Sequence, residues 1–279
     1  MSVVLALVVG FVAARLLVHA TRDLLRAPVL ERQNHRGRAV PTAAGIIAVV
    51  AVVLIEAGRS IFGAFGVGQT PASPIRMLVL LACVGFALLG LFDDLVGTQS
   101  DQRFRGHLGA LVRGRVTTGV VKMLGGAGLA IVLVSAGRGH GDGVRVVADA
   151  LLVVLAANLC NLFDRAPGRA IKVALLAWLP VALVARDDSI GVAIAPVIGA
   201  FAALLADDLR ERLMLGDTGA YALGAVIGLA VVAECSPTTR TAVLAVLVAC
   251  TIASEVLSFS RVIERIGVLR RLDDLGRGG

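Results

Sequence analysis

The sequence predicts an all-α protein, a polytopic bundle of about nine transmembrane helices with its N-terminus outside and its C-terminus in the cytoplasm. Three observations carry that reading. Of the 279 residues, 57% are hydrophobic and the mean hydropathy is +0.88, more apolar than a soluble domain of this size. Only 17% are charged, and no polar stretch is long enough to fold outside a bilayer, so residues 1–260 read as one transmembrane domain and 261–279 as a basic cytoplasmic tail. The basic residues also fall unevenly between the apolar runs, and that asymmetry sets the orientation.

The expected spans lie near 2–20, 42–58, 75–92, 116–136, 146–163, 170–186, 189–206, 218–234 and 240–260. The first run is apolar at once, with no basic segment before it and no clear cleavage site, so it reads as a span rather than a signal peptide. Pro180 and Pro196 mark kink points in the sixth and seventh spans. Nineteen Arg and Lys residues fall in segments on one side of the bundle, among them Arg32, Arg36, Arg165, Arg169, Arg212 and Arg271. Six fall on the other side (Arg59, Arg76, Arg138, Arg145, Arg186 and Arg240). The richer side is cytoplasmic by the positive-inside rule. The outer segments are short, so any chemistry belongs to the cytoplasmic face. The net charge of +7 fits basic loops on an anionic membrane surface rather than nucleic-acid binding.

Only two basic residues are lysines, Lys122 and Lys172. That bias, with the Ala, Val and Gly richness, suggests a high-GC bacterium and a multi-pass protein of its cytoplasmic membrane. Cys83, Cys160, Cys235 and Cys250 have no paired spacing and imply neither a disulfide framework nor a zinc site. No internal repeat is visible, which disfavours a transporter built from inverted halves.

Polar groups at span ends carry the functional signal. Asn158, Asn161 and Asp164 recur every three residues at the end of the fifth span and share one side of a helix. They suit an active-site wall, or interhelical hydrogen bonds. Pro167 disfavours helix at Ala166, so a turn is predicted after Asp164. Asp93 and Asp94 end the third span. Adjacent carboxylates there can hold Mg²⁺ or take a proton, or simply mark a helix end in water. Asp187-Asp188 is the same dipeptide at an outer turn and reads as solvated.

Asp217 sits between Gly216 and Thr218-Gly219 where the eighth span starts. It can hold a cation, or serve as an N-cap. Gly224 and Gly228 beyond it read as a close-packing face. Asp207-Asp208, before Arg210-Glu211-Arg212, reads as a solvated charged turn. Lys122 lies about two turns into the fourth span and either snorkels or contacts a phosphate. His35 and His107 read as surface residues, and Arg15 and Glu255 receive no role. Acidic clusters ringed by basic loops suit an anionic substrate bridged by a cation, most simply Mg²⁺ with phosphates.

In order along the chain these motifs resemble the polyprenyl-phosphate N-acetylhexosamine-1-phosphate transferases, the MraY/WecA family within glycosyltransferase family 4. The resemblance covers roughly residues 38 to 230. Pro41-Thr42-Ala43-Ala44-Gly45 resembles the family's Pro-Thr-x-Gly-Gly, Asp93-Asp94 its Asp pair, and Asn158-x-x-Asn161-x-x-Asp164 its Asn-x-x-Asn-x-x-Asp. Gly216-Asp217-Thr218-Gly219 resembles its Gly-Asp-x-Gly, and Lys122 stands where the family has a lysine. The resemblance implies transfer of a sugar 1-phosphate from a UDP-sugar to a polyprenyl phosphate for cell-envelope glycan synthesis. It implies Mg²⁺, with Mn²⁺ as a substitute, held by Asp217 and Asp94. It implies catalytic roles for Asp93, Asp94 and Asp164, and substrate binding by Asn158, Asn161, Lys122, Thr42 and Asp207. The implied partners are the polyprenyl phosphate lipid, a nucleotide-sugar and the membrane, with a homodimer left open.

Departures accompany the likeness. The family's Asp-Gly-x-Asp-Gly reads Asp164-Arg165-Ala166-Pro167-Gly168 here, Asp207 stands in place of an Asn, and no His-x-His follows in the C-terminal loops. Two other classes stay open: a non-catalytic membrane relative that binds lipid phosphate, and a transporter with carboxylates deep in the bilayer.

Overall fold

The computed structural model describes residues 2–34, 36–68, 73–97, 109, 113–114, 116–136, 142–185 and 189–277. His35, His107, Asp187 and Asp188 lie outside them. Nine long helices run through the described residues: α1 (Val3–Ala20), α2 (Gly45–Ala64), α3 (Pro74–Val96), α4 (Thr118–Ser135), α5 (Gly143–Phe163), α6 (Arg169–Ala185), α7 (Ser189–Leu209), α8 (Gly216–Glu234) and α9 (Pro237–Val256). Eight have the length and hydropathy of a membrane span, and α6 is one residue shorter than the shortest of these. The protein is a polytopic helical membrane bundle. α6 and α7 run through Pro180 and Pro196 as continuous helices.

The starts of five helices follow from sequence. Ser2, Ser73, Thr117, Asp142 and Ser236 each accept a hydrogen bond from the amide three residues on, which satisfies one orphan donor of the first turn. Pro74 and Pro237 follow two of these caps, where a missing N–H costs nothing. α8 is the axle of the bundle: 89% of its apolar window is buried, against 6% for α9 on the rim. Large apolar side chains such as Leu16, Phe62, Leu88 and Leu183 point outward, as lipid-facing positions do.

Glycines set how closely α8 approaches its neighbours. A Cβ on Gly224 would lie 2.6 Å from the Ala156 carbonyl, and one on Gly228 2.9 Å from Val153 Cα, so both make the packing face against α5. At the other end, Gly45 of α2 and Gly90 of α3 let their backbones touch the first turn of α8 at Gly219 and Asp217.

The structure departs from the expected boundaries in three places. α2 continues to Ala64 rather than ending near 58, because Arg59 is not a solvated stop. It pairs at 2.6 Å with Glu56 one turn earlier, and Glu56, buried, also accepts from Arg76 Nε at 2.8 Å. A two-stranded hairpin, β1 (Glu31–Gln33) with β2 (Ala39–Pro41), precedes α2. Past α9 the chain turns at Leu257 and forms two short helices, α10 (Phe259–Arg265) and α11 (Gly267–Asp274).

Candidate active site

The site is assembled at the end of the bundle where α3 and α5 finish and α4 and α8 begin. The start of α8 comes first, because the rest is built on it. Gly216 adopts φ +74°, a left-handed turn that an L side chain disfavours. A Cβ there would also stand 2.6 Å from Ala43 N and 2.7 Å from Asp94 Oδ2. The segment before it is stitched to the hairpin: Met214 N donates to Pro41 O at 2.7 Å, Ala44 N to Met214 O at 3.1 Å and Gly45 N to Leu215 O at 2.9 Å.

No side chain within the α8 segment caps this helix. Asp94, from the end of α3, does so across the bundle. Its Oδ1 accepts from Asp217 N at 3.1 Å, and its Oδ2 from Thr218 N at 2.9 Å and Thr218 Oγ1 at 2.6 Å. A carboxylate at a helix N-terminus is favoured by both the unpaired amides and the helix dipole. Asp217 is thereby fixed in the first turn with its side chain released from capping.

Lys122 joins three of the helices. Its Nζ lies 3.0 Å from Asp93 Oδ2 and 2.5 Å from Asp217 Oδ2, and 4.2 Å from the centre of the Tyr221 ring. The lysine is buried, so it does not snorkel. Two carboxylates and an aromatic face replace its water. Asn161 of α5 adds its Nδ2, 3.4 Å from Asp217 Oδ2, while its Oδ1 is buried with no hydrogen-bond partner among the described residues.

Asp93 and Asp217 border a cavity of about 550 Å³ that is also lined by Asp94, Asp164 and Asp208, with Thr42 and Met214 in the wall. Arg32 and Arg165 supply cationic lining, and Arg32 Nη2 is tied at 2.9 Å to the Asp94 carbonyl. Asp164 closes α5 and starts the turn to Gly168. Its withdrawal from water, together with the charges of Asp208, Asp217 and Asp94, holds its carboxyl well above the ordinary carboxylate range.

The structure therefore brings Thr42, Asp93, Asp94, Asp164 and Asp217 to the cavity wall and holds Lys122 and Asn161 against Asp217. It puts two predicted site residues elsewhere. Asn158, one turn before Asn161, is half-buried and does not line the cavity. Asp207 also lies off the lining: it is ion-paired to Arg15 of α1 and, at 3.4 Å, to Arg212. Neither Asp207 nor Asp208 is solvated, since each is 4% exposed. That corrects the expectation of a charged surface turn, and Arg15 is its physical reason for Asp207. Asp208 turns instead into the cavity and accepts from Gly168 N at 3.1 Å. Adjacent helical residues differ by about 100° in direction, so the Asp-Asp dipeptide does not itself say which carboxylate faces the site. The β1–β2 hairpin was unforeseen, although its Asn34 and the loop's Glu211 pair at 2.8 Å beside the cavity.

Fold and site together describe an integral-membrane helical bundle with an acidic, lysine-braced pocket at one end. The model of glycosyl transferase family 4 matches residues 76–234, more than half of the chain, and the protein belongs to that family. Among curated relatives, the phospho-N-acetylmuramoyl-pentapeptide-transferase of Deinococcus radiodurans is 29% identical over 207 residues, covering 70% of this chain and 62% of the relative. The protein of the same name from Moorella thermoacetica is 30% identical over 168 residues, 57% and 53% of the two chains. That of Desulfitobacterium hafniense is 26% identical over 263 residues, 84% and 75%. The chain thus spans under two thirds of the length of the first two relatives.

Proposed function

We propose that the protein transfers a sugar 1-phosphate from a nucleotide-sugar, UDP-linked by analogy with its family, to a polyprenyl phosphate in the bacterial cytoplasmic membrane. The product is a polyprenyl-diphosphate sugar for the cell envelope. What supports this reading is the convergence of Asp93, Asp164, Asp208 and Asp217 from separate helix ends on one cavity, together with family membership. The volume lies within the range of small-molecule sites.

The donor set fits a divalent cation. Among the described residues no three His, Cys, Asp or Glu side chains converge to enclose a metal unaided. Mg²⁺ needs only one or two protein carboxylates when phosphates and water complete its shell. Asp217 would be the principal ligand, with the orphaned Asn161 Oδ1 beside it. Asp94 is largely engaged in capping α8, so its share in the metal is secondary. A cation held there would neutralise the diphosphate and polarise the phosphorus under attack.

The chain's own residues do the rest. Lys122 meets the charge that develops on the leaving nucleoside monophosphate. Arg32 and Arg165 draw the anionic substrates to the mouth. A lipid phosphate oxygen forms the new bond to the sugar-bearing phosphorus as the bond to the nucleotide phosphate breaks. The attacking phosphate is already ionised near neutral pH, so Asp93 and Asp164 position it rather than remove a proton. The carboxylates sit at helix ends, which disfavours the transporter. Pro167, in place of the family's second acid, is the feature that favours a non-catalytic relative.

The test uses purified protein in nanodiscs with Mg²⁺, polyprenyl phosphate and a panel of nucleotide-sugars, with nucleoside monophosphate release as readout. Release with one donor, abolished in Asp217→Ala, is expected. Silence from every donor would favour the non-catalytic relative.

A further inference from the structure

The segment after α9 does something no motif in the sequence announces. Each of its attachments lands on, or just beside, the turn that carries Asp164. Phe259 stacks on Phe163, the residue before Asp164, with ring centres 5.4 Å apart and planes 14° from parallel. Arg277 Nε donates at 3.0 Å to the carbonyl of Pro167 inside the turn. Arg169, the first residue after the turn, donates to Ser260 Oγ at 2.8 Å. It also forks onto Asp273 at 2.8 and 2.7 Å. Arg277 forks onto the same carboxylate at 2.9 and 2.8 Å. Lys172, one turn further on, donates to the carbonyls of Leu272, Asp273 and Leu275.

The chemistry of this arrangement is asymmetric. In α11 only Asp273 is buried, and its apolar residues Val268, Leu269 and Leu272 are exposed. The helix is therefore held by one carboxylate and a few carbonyls, not by an apolar face. A buried carboxylate gripped bidentately by two guanidinium groups is geometrically strict. It fixes Arg169 and Arg277 relative to each other, and with them the Pro167 carbonyl. On its inner side the same turn donates Gly168 N to Asp208 and presents Asp164 to the cavity. The turn is thus clamped between the cavity wall and the tail.

We propose that residues 259–277 form a clasp that sets the position of the Asp164–Gly168 turn, and that Asp273 and Arg277 are positioning residues for the carboxylates of the pocket. The proposal rests on the transferase reading for its effect on rate, but not for its effect on the turn. Releasing the clasp leaves the substrate-binding groups on α3, α4 and α8 in place and loosens one wall. It therefore lowers kcat more than it raises KM.

The experiment places a reporter in the turn. In a Cys235→Ser, Cys250→Ser background, Ala166→Cys is labelled with a water-soluble maleimide in nanodiscs. Transfer kinetics are measured in parallel on the chain without the reporter. With Asp273→Asn or Arg277→Gln, labelling is expected to accelerate and kcat to fall about tenfold, while the lipid-phosphate KM moves less than twofold. Asp273→Glu recovers part of both, and the exposed Arg271→Gln changes neither. Both tail variants are screened by size exclusion, so that a misfolded one is replaced by the other. Labelling at the parent rate in both variants overturns the clasp. Faster labelling in a protein with no transfer activity supports the clasp and sinks the transferase reading instead.

Discussion

Asp94 of α3 caps the helix that carries Asp217: its Oδ2 accepts both the amide and the hydroxyl of Thr218, at 2.9 and 2.6 Å. The two acidic motifs of the sequence are thereby one structural unit. Thr218→Val removes only the hydroxyl bond and is expected to cost about 1 kcal/mol. Asp94→Ala strips three bonds from a helix start and is expected to cost two to three times as much, about 2–3 kcal/mol. Thermal unfolding in nanodiscs ranks the two, and equal melting temperatures contradict the capping role.

Lys122 holds two carboxylates that otherwise repel. Lys122→Met leaves Asp93 and Asp217 facing each other without a countercharge. Transfer is expected to drop by at least about a hundredfold, as when a preorganised electrostatic group is removed from an active site. Lys122→Arg keeps the charge but not the compact point donor, and should recover little. Steady-state kinetics of both variants check this, and a fully active Lys122→Met rules the lysine out of the chemistry.

Gly90 allows α3 to touch the backbone of Asp217. Gly90→Ala is expected to displace the first turn of α8, lowering both melting temperature and activity. Gly128 of α4 has open space around it, so Gly128→Ala is expected to be silent in both measurements. This contrast separates close backbone approach from a general intolerance of alanine in the bundle.

Two carboxyls outside the spans predict opposite pH trends. Partial burial and the charges of Asp208, Asp217 and Asp94 raise Asp164 well above 3.8. The folded protein therefore keeps this proton to higher pH than the unfolded chain, and stability falls as pH rises from about 3.8 through the raised value. Asp164→Asn removes that slope, so its melting temperature gains on the parent as pH rises across that window. Asp273 behaves in reverse. Burial pushes its carboxyl up, but hydrogen bonds from Arg169 and Arg277 and their charges outweigh this and leave it below 3.8. Lys172 also faces it. Its stabilisation is present above 3.8 and is lost as pH falls through the lowered value. Melting curves of the parent, Asp164→Asn and Asp273→Asn from pH 3 to 9 resolve both signs (roughly the range in which carboxyl groups titrate).

The bundle was legible in the sequence because spans announce themselves by uninterrupted hydropathy. Asp93, Asp94, Asp164 and Asp217 of the pocket were legible because polar groups at the ends of apolar runs are conspicuous. What escaped depended on tertiary pairing. Arg59 looked like a stop until Glu56 neutralised it. Asp207 and Asp208 looked solvated until Arg15 and Gly168 took them up. The tail looked like a basic extension, yet the acid Asp273 anchors it, through an arginine 104 residues away in sequence.

In the proposed reaction Asp217 captures a metal-bound diphosphate beside Lys122. The most direct measurement is Mn²⁺ binding, followed by electron paramagnetic resonance, to the purified protein with and without UDP. A tight Mn²⁺ site that appears with UDP in the parent and is absent from Asp217→Ala is expected. The same Mn²⁺ occupancy in Asp217→Ala, or none in the parent with UDP, would contradict it.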